Sequence, residues 1–189
     1  MKHEVTTLNT KHIIAESLKK AMMKKPFSKI TVSEIISDCG VNRKTFYYHF
    51  EDTHALMKWM LKTEVIEVVK SFDLLLNYEE AIFFVFDYMD KNGYIINCVC
   101  DDIGQEGMKQ LFRDDLFNII NSIIDRVAVG AGKKLEPDYQ EFLVWFYSEA
   151  IAGTLLDYTK NKEIPNRKKT AAYLSAMMGA AVSHIENIV

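Results

Sequence analysis

Apolar residues recur at helical spacing over most of this chain. Across 10–25, Ile14, Leu18 and Met22 fall four apart on one face, while Lys11, Lys19, Lys20, Lys24 and Lys25 take the others. Pro26 ends that helix, because the residue before a proline avoids helical angles. Phe27 and Ile30 are apolar positions in the connection and are expected in the core. Thr31 then reads as an N-cap, and Glu34 three residues later completes a T-x-x-E capping box. Val32, Ile35, Ile36 and Cys39 follow at i, i+3, i+4 and i+7, one buried face of a two-turn helix. Gly40 is placed to stop it in a left-handed conformation, and Asn42 to cap a short helix over 43–48.

A longer helix is expected from Asp52 or Thr53 to about Leu75, with Leu56, Met57, Met60, Leu61, Val65 and Val68 as its apolar stripe. Further helices are expected near 79–92, 96–103, 105–130, 138–161 and 167–187, with loops at 133–137 and 163–165. No stretch alternates as a strand would, and no internal repeat or low-complexity tract stands out. With 3 prolines and 8 glycines, little punctuates the chain, which suits long helices better than a many-turned sheet protein. The expected class is all-α: an N-terminal three-helix helix-turn-helix unit over 1–52 and a helical bundle over 53–189.

Composition adds a few constraints. At 189 residues, 49% hydrophobic and 26% charged, the chain is ordinary for a globular protein. Its cysteines, Cys39, Cys98 and Cys100, are odd in number, so a disulfide framework is not expected. Cys98 and Cys100 have no second Cys or His pair for a zinc site, so no metal is expected; small buried hydrophobes are the simpler reading. The polar N-terminus lacks the apolar core of a signal peptide, and no apolar run approaches the ~20 residues that cross a bilayer. A cytoplasmic location, without a membrane, follows as the expectation.

Charge changes the picture more. The net value of −3 argues against a nucleic-acid partner, but residues 1–50 carry nine Lys/Arg against four Asp/Glu, and the remainder 14 against 22. A basic head on an acidic body lets the head meet phosphates while the body stays clear of them.

The head holds the candidate chemistry. Residues 31–50 read T-V-S-E-I-I-S-D-C-G-V-N-R-K-T-F-Y-Y-H-F: helix, tight turn, short helix. Val41 and Phe46 are expected inward against Ile35 and Ile36, leaving Asn42, Arg43, Lys44, Thr45 and Tyr47 outward at the end of the helix that in such motifs meets base edges. Arg43 or Lys44 can donate to guanine O6 and N7, and the Thr45 and Tyr47 hydroxyls can bond phosphate oxygens. On bare spacing, a helical hairpin with solvated charges remains the alternative.

The segment resembles the DNA-binding domain of the TetR family of bacterial regulators. Thr31, Val32, Ile35, Gly40, Val41, Thr45, Tyr47, His49, Phe50 and Leu56 all fall in register with that family's pattern, which covers roughly residues 8–56. Ile36, Cys39 and Asn42 depart mildly from it, and Thr53 stands where the family usually has a phosphate-gripping lysine. The resemblance implies a double-stranded DNA operator contacted through Thr31, Asn42, Arg43, Lys44, Thr45, Tyr47, Tyr48 and His49, the last either packing or touching phosphate.

It further implies that residues 53–189 form a helical regulatory and dimerisation domain, and that the last two long helices form a homodimer. Ala150 and Gly153 in one, and Ala172, Ser175, Ala176, Gly179 and Ser183 in the other, are small residues that would let helices approach closely. Aromatic residues crowd the middle of the chain. Phe84, Tyr88, Phe112, Phe117, Trp145 and Tyr147 are candidates to line an effector pocket, the alternative being that they fill the core.

Two stretches, D-C-G-V-N-R-K-T-F-Y-Y-H-F-E-D and E-A-I-A-G-T-L-L-D-Y-T-K-N, are similar to a subgroup of dihydroxyacetone kinase activators. That likeness implies a kinase-like coactivator protein as partner, which would place ligand sensing partly in another protein; a small-molecule effector stays the other expectation.

Two other functions compete. A protein-interaction module with residual DNA affinity would be expected to lack Arg43, Lys44 or Tyr47, and all three are present. An enzyme finds no support: the adjacent pairs Asp101–Asp102 and Asp114–Asp115 point different ways on a helix, no nucleophile–base set or phosphate loop is evident, and no cofactor is expected. Finally, residues 50–52 contain no glycine, so the helix that begins near Thr53 is expected to move the head as a near-rigid unit.

Overall fold

The computed structural model describes residues 2–160 and 167–187. The loop expected at 163–165 lies outside them. The helices are α1 (Lys2–Met22), α2 (Val32–Cys39), α3 (Arg43–His49), α4 (Thr53–Leu61), α5 (Glu67–Ser71), α6 (Tyr78–Lys91), α7 (Gly93–Gly130), α8 (Pro137–Lys160) and α9 (Arg167–Asn187). A 3₁₀ turn, Phe27–Lys29, follows α1, and a π-turn, Lys62–Ile66, joins α4 to α5 without a break. Among the described residues no strand occurs.

In the head, each helix end is set by a side chain the sequence supplies. Thr31 and Glu34 form the reciprocal capping box at α2, and Gly40 ends that helix at φ 69°. The Asn42 carboxamide accepts from Thr45 N at 2.8 Å at the start of α3, and Asp52 accepts from Ala55 N at 2.7 Å at the start of α4. Ile14, Leu18, Phe27, Ile35, Phe46 and Phe50 are buried beneath these caps. The Ser17 hydroxyl, also buried, donates to the Ile35 carbonyl at 2.9 Å and ties α1 to α2.

α1 begins eight residues before the expected start and ends three before the expected stop. The long helix after the head stops at Ser71, not near Leu75, because Phe72 turns extended. α7 begins at Gly93, earlier than expected, and is interrupted at Gly104, the very position where two helices were expected to part.

Gly104 has φ 73° and ψ 174°, a region open to glycine almost alone. The break allows one helix to serve two cores. Before it, Ile95, Ile96, Cys98 and Val99 pack into the head core together with Leu56, Met57, Met60 and Leu61 of α4. After it, Ile119, Ile120, Ile123, Ile124 and Val127 form a second core with Leu143 and Val144 of α8 and Ile185 of α9. Between them, Asp115 is buried and accepts from Lys62 at 2.9 Å and Lys70 at 3.2 Å, clasping the start of the π-turn and α5 to α7. Burial alone would raise the Asp115 carboxyl, but the two ammonium groups outweigh it and hold it below the usual range.

Gly104→Ala should cost about 1–3 kcal/mol, because alanine is strained at that φ whatever the space around it. Thermal unfolding should show it as a drop of roughly 2–4 °C per kcal/mol for a chain of this size. An unchanged midpoint would remove the strain argument.

The capping box gives a pH signature. Hydrogen bonds from Lys25 and then Thr31 hold the Glu34 carboxyl at about 2, below its ordinary 4.5. A depressed acid stabilises the fold fully above its unfolded pKa, and that contribution disappears as pH falls through the folded value. The advantage of the parent over Glu34→Gln should therefore be present above pH 4.5 and shrink toward pH 2. A gap between their melting curves that stays constant across this window would contradict it.

Candidate nucleic-acid interface

The reading surface starts from what is buried under it. Phe46 is fully buried, with its ring edge-on to Tyr47 (centroids 5.5 Å) and tilted against Phe50 (6.0 Å). Phe50 in turn meets Trp59 of α4 at 5.6 Å, and Trp59 meets His12 of α1 at 5.2 Å. This aromatic chain anchors α3 from beneath. On the opposite side, Asn42, Arg43, Lys44, Tyr47 and Tyr48 are exposed, Tyr48 at 72%.

The eight sequence candidates are not equally available. Arg43 folds back, its Nη2 donating to Ser33 Oγ at 2.5 Å. Lys44 projects with no carboxylate partner among the described residues. Thr45 is half-buried; its hydroxyl donates to Asn42 Oδ1 at 3.0 Å, so it already serves the cap while keeping acceptor capacity. Thr31 is exposed, but its hydroxyl both donates to Glu34 Oε2 (2.9 Å) and accepts from Glu34 N (3.3 Å). His49 is half-buried beside Tyr48, with centroids 4.9 Å apart. Burial, and then the charge of Lys11, lower its pKa, which favours the neutral imidazole and a packing role over a cationic grip on phosphate.

Two features were not anticipated. Ser33, in the first turn of α2, holds the Arg43 guanidinium, a contact across the turn that no local pattern announces. Part of the basic surplus is also spent inside the head. Lys20 pairs with Asp38 at 3.1 Å, Lys25 with Glu34, and Lys19 with Glu16 and, beyond the head, with Glu64.

In the body, a cavity of about 190 Å³ lies between α4–α5, α6, α7, α8 and α9. Its wall is mostly aliphatic, with Leu61, Val65, Ile96, Ile120 and Leu156 among its residues, and Tyr78 and Lys109 also lie on it. Of the six aromatic candidates, Tyr88 and Phe112 line it. The other four do not: Phe84 packs toward Phe72 (6.1 Å), Phe117 and Trp145 are exposed, and Tyr147 lies half-buried on the second core. Aliphatic side chains dominate because they cover the helix faces that meet around the cavity, while Phe117 and Trp145 face solvent and Phe84 and Tyr147 pack elsewhere.

The small residues also divide. Ala150, Ala172, Ala176 and Ser183 are exposed, and Gly153 is half-buried. Ser175 is buried, and Gly179 faces the Tyr78 hydroxyl of α6, where an added Cβ would come within 3.3 Å. These two positions are used in packing within the chain. Alongside the exposed small residues, α8 presents Phe142, Trp145 and Phe146 to solvent, and α9 presents Tyr173 and Met177. No helix is long and apolar enough to cross a membrane, and no metal-ligating cluster occurs, among the described residues.

Comparison with known proteins places both halves. The family of bacterial regulatory proteins, tetR family, matches residues 14–59, and a transcriptional regulator C-terminal region matches residues 77–180. The HTH-type dhaKLM operon transcriptional activator DhaS of Lactococcus lactis subsp. lactis (strain IL1403) is 25% identical over 83 residues, a match that spans 44% of this chain and 44% of that protein. The solved structure of the dihydroxyacetone kinase operon activator DhaS superposes with a TM-score of 0.73 over 92% of this chain and 96% of that one, at 17% identity, and so shares the fold. The C-terminal match alone covers more than half of the sequence, and the N-terminal match covers the helix-turn-helix. The chain therefore belongs to the TetR family, as a helix-turn-helix DNA-binding transcriptional regulator and not an enzyme.

Proposed function

We propose that the chain binds a double-stranded operator as a homodimer, with α3 in the major groove, and that its regulatory half tunes this binding in response to an effector. The observation that carries this reading is the exposed row Asn42, Arg43, Lys44, Tyr47 and Tyr48 above a fully buried Phe46. Arg43 or Lys44 reads guanine, the tyrosines hold phosphate, and Ser33 stores the Arg43 guanidinium until DNA competes for it. Residues 1–52 then read DNA and residues 53–189 regulate and dimerise. The intact reading row favours this over a protein-interaction module with residual DNA affinity. The site of action is the cytoplasm, where the operator is.

The homodimer is supported by exposed apolar groups on the last two helices. Trp145 is 52% and Tyr173 61% exposed, with Phe142, Phe146 and Met177 nearby in sequence, a load of apolar surface that marks interaction sites. Ala150, Ala172, Ala176 and Ser183 allow close approach there. Two such helices from each copy would form a four-helix bundle.

Two kinds of control remain. The 190 Å³ cavity favours a small effector. The likeness to DhaS, a dhaKLM operon activator, favours activation of a related operon and a kinase-like coactivator as partner.

Operator sites recovered from sheared genomic DNA supply the assay. Arg43→Ala or Lys44→Ala should weaken gel-shift binding to the recovered site by the ~1–3 kcal/mol of one good base contact, about five- to 150-fold. Tyr47→Phe should weaken specific and unrelated duplexes alike. Normal binding by all three variants would exclude α3 as the reading element.

Sedimentation tests the assembly. The parent should run at twice its 21.8 kDa chain mass, and Trp145→Glu or Tyr173→Glu should run as monomer. A parent that is monomeric at micromolar concentration defeats the dimer.

A further inference from the structure

The joint between head and body holds a polar chain of three residues. Glu64 sits in the π-turn Lys62–Ile66. Its Oε1 accepts from Lys19 Nζ of α1 at 2.8 Å, and its Oε2 accepts from the Tyr88 hydroxyl of α6 at 2.8 Å. Tyr88 is itself part of the cavity wall. Three residues thus link the cavity, the helix leaving the head and the first helix of the head. The bridge is sheltered, with the Lys19 side chain 17% and the Glu64 side chain 23% exposed.

The turn that carries Glu64 is the one π-helical stretch among the described residues. Such turns hold one residue more than an α-turn, occur singly and often mark functional sites. Here the turn is pinned from two directions. Glu64 is held by Lys19 and Tyr88, and Lys62 by Asp115 of α7. Loss of one pin leaves the extra residue free to redistribute along the helix.

The cavity limits what can act on the pin. The exposed wall is apolar, and the one charged residue on it, Lys109, has its ammonium paired with Glu149 at 3.2 Å, so a charged ligand would lose its hydration without compensation. An apolar cavity of about 150 Å³ holds benzene, so one of about 190 Å³ suits a single ring with a short substituent. Burial, and next the Glu64 charge, push the Tyr88 phenol above its ordinary range, so it stays protonated as a donor.

We propose that the Lys19–Glu64–Tyr88 bridge carries the state of the cavity to the head. An uncharged, largely apolar molecule with one oxygen acceptor enters the cavity and draws the Tyr88 hydroxyl away. Glu64 loses one of its two donors, and the π-turn and α1 shift together. This rests on the small-effector reading above and names its ligand class and its positioning residues. An effector shifts a population only through differential affinity for two states, and the Tyr88 hydrogen bond supplies that difference.

The test has two arms, both on the full chain. In the ligand-free arm, Tyr88→Phe keeps the ring and removes only the donor, while Glu64→Gln removes the charge. Each should shift affinity for the recovered operator in the same direction by about fivefold or more, the lower end of allosteric coupling. The double variant should do no more than the larger single one, as expected of residues in one network. Two variants that melt lower yet bind DNA within twofold of the parent would overturn the bridge as a relay.

In the second arm, cyclohexanone is the probe and amide hydrogen exchange the readout. It should slow exchange in the cavity-lining helices of parent and Tyr88→Phe, but alter exchange over 14–22 and 61–66 in the parent alone. Protection of the cavity with the same change over 14–22 in both would overturn the relay. No protection of the cavity in either would overturn the small-effector reading, and the DNA arm would still decide the bridge.

Discussion

Leu56, Met57, Met60 and Leu61 are buried in one core with Ile14 and Leu18 of α1 and Ile95 and Val99 of α7. Helix α4 therefore belongs to the head and to the body at once. Separating the two would expose four side chains from this helix, each contributing about 1.5–3 kcal/mol by burial. The remaining geometry follows from that shared core. The reading helix is packed onto α4, because Phe46, Phe50 and Trp59 continue the same packing out to it.

The head was legible because its determinants are local. Thr31 with Glu34, Gly40, and Asn42 act within four residues of the backbone groups they satisfy, so spacing alone placed α2, the turn and α3. Gly104 was legible for the same reason, since a glycine between two apolar runs is a break that the chain itself announces. The π-turn was not. Nothing in the sequence Lys62–Ile66 distinguishes it from an ordinary helical turn; it goes with contacts to Lys19, Tyr88 and Asp115, which are 24 to 53 residues away.

The cavity and the small-residue stripe were only half legible. Counting aromatics pointed to six candidates, of which Tyr88 and Phe112 face the cavity. Periodicity says which residues share a face but not which neighbour that face meets. In α9, small residues occur on more than one face, so spacing did not separate Ala172 and Ala176, which are exposed, from Ser175 and Gly179, which pack within the chain. The same limit applied to Arg43: its charge was evident, its partner Ser33 across the turn was not.

Joint and reading face divide two kinds of interaction between them. Apolar burial is non-directional and changes little for a small rotation, so the shared core tolerates slight reseating of α4 without dissolving. Hydrogen bonds to charged groups are directional and fail within a few tenths of an ångström or a modest change of angle. The head–body joint places such bonds at Lys19–Glu64, Tyr88–Glu64, Lys62–Asp115 and His54–Asp102, around a helix otherwise held by apolar contacts. The apolar core thus keeps the halves together, and the charged contacts select among its nearby seatings. A joint made of apolar contacts alone would be stable but would have no means of preferring one seating; one made of ion pairs alone would lack the burial that holds the head on α4.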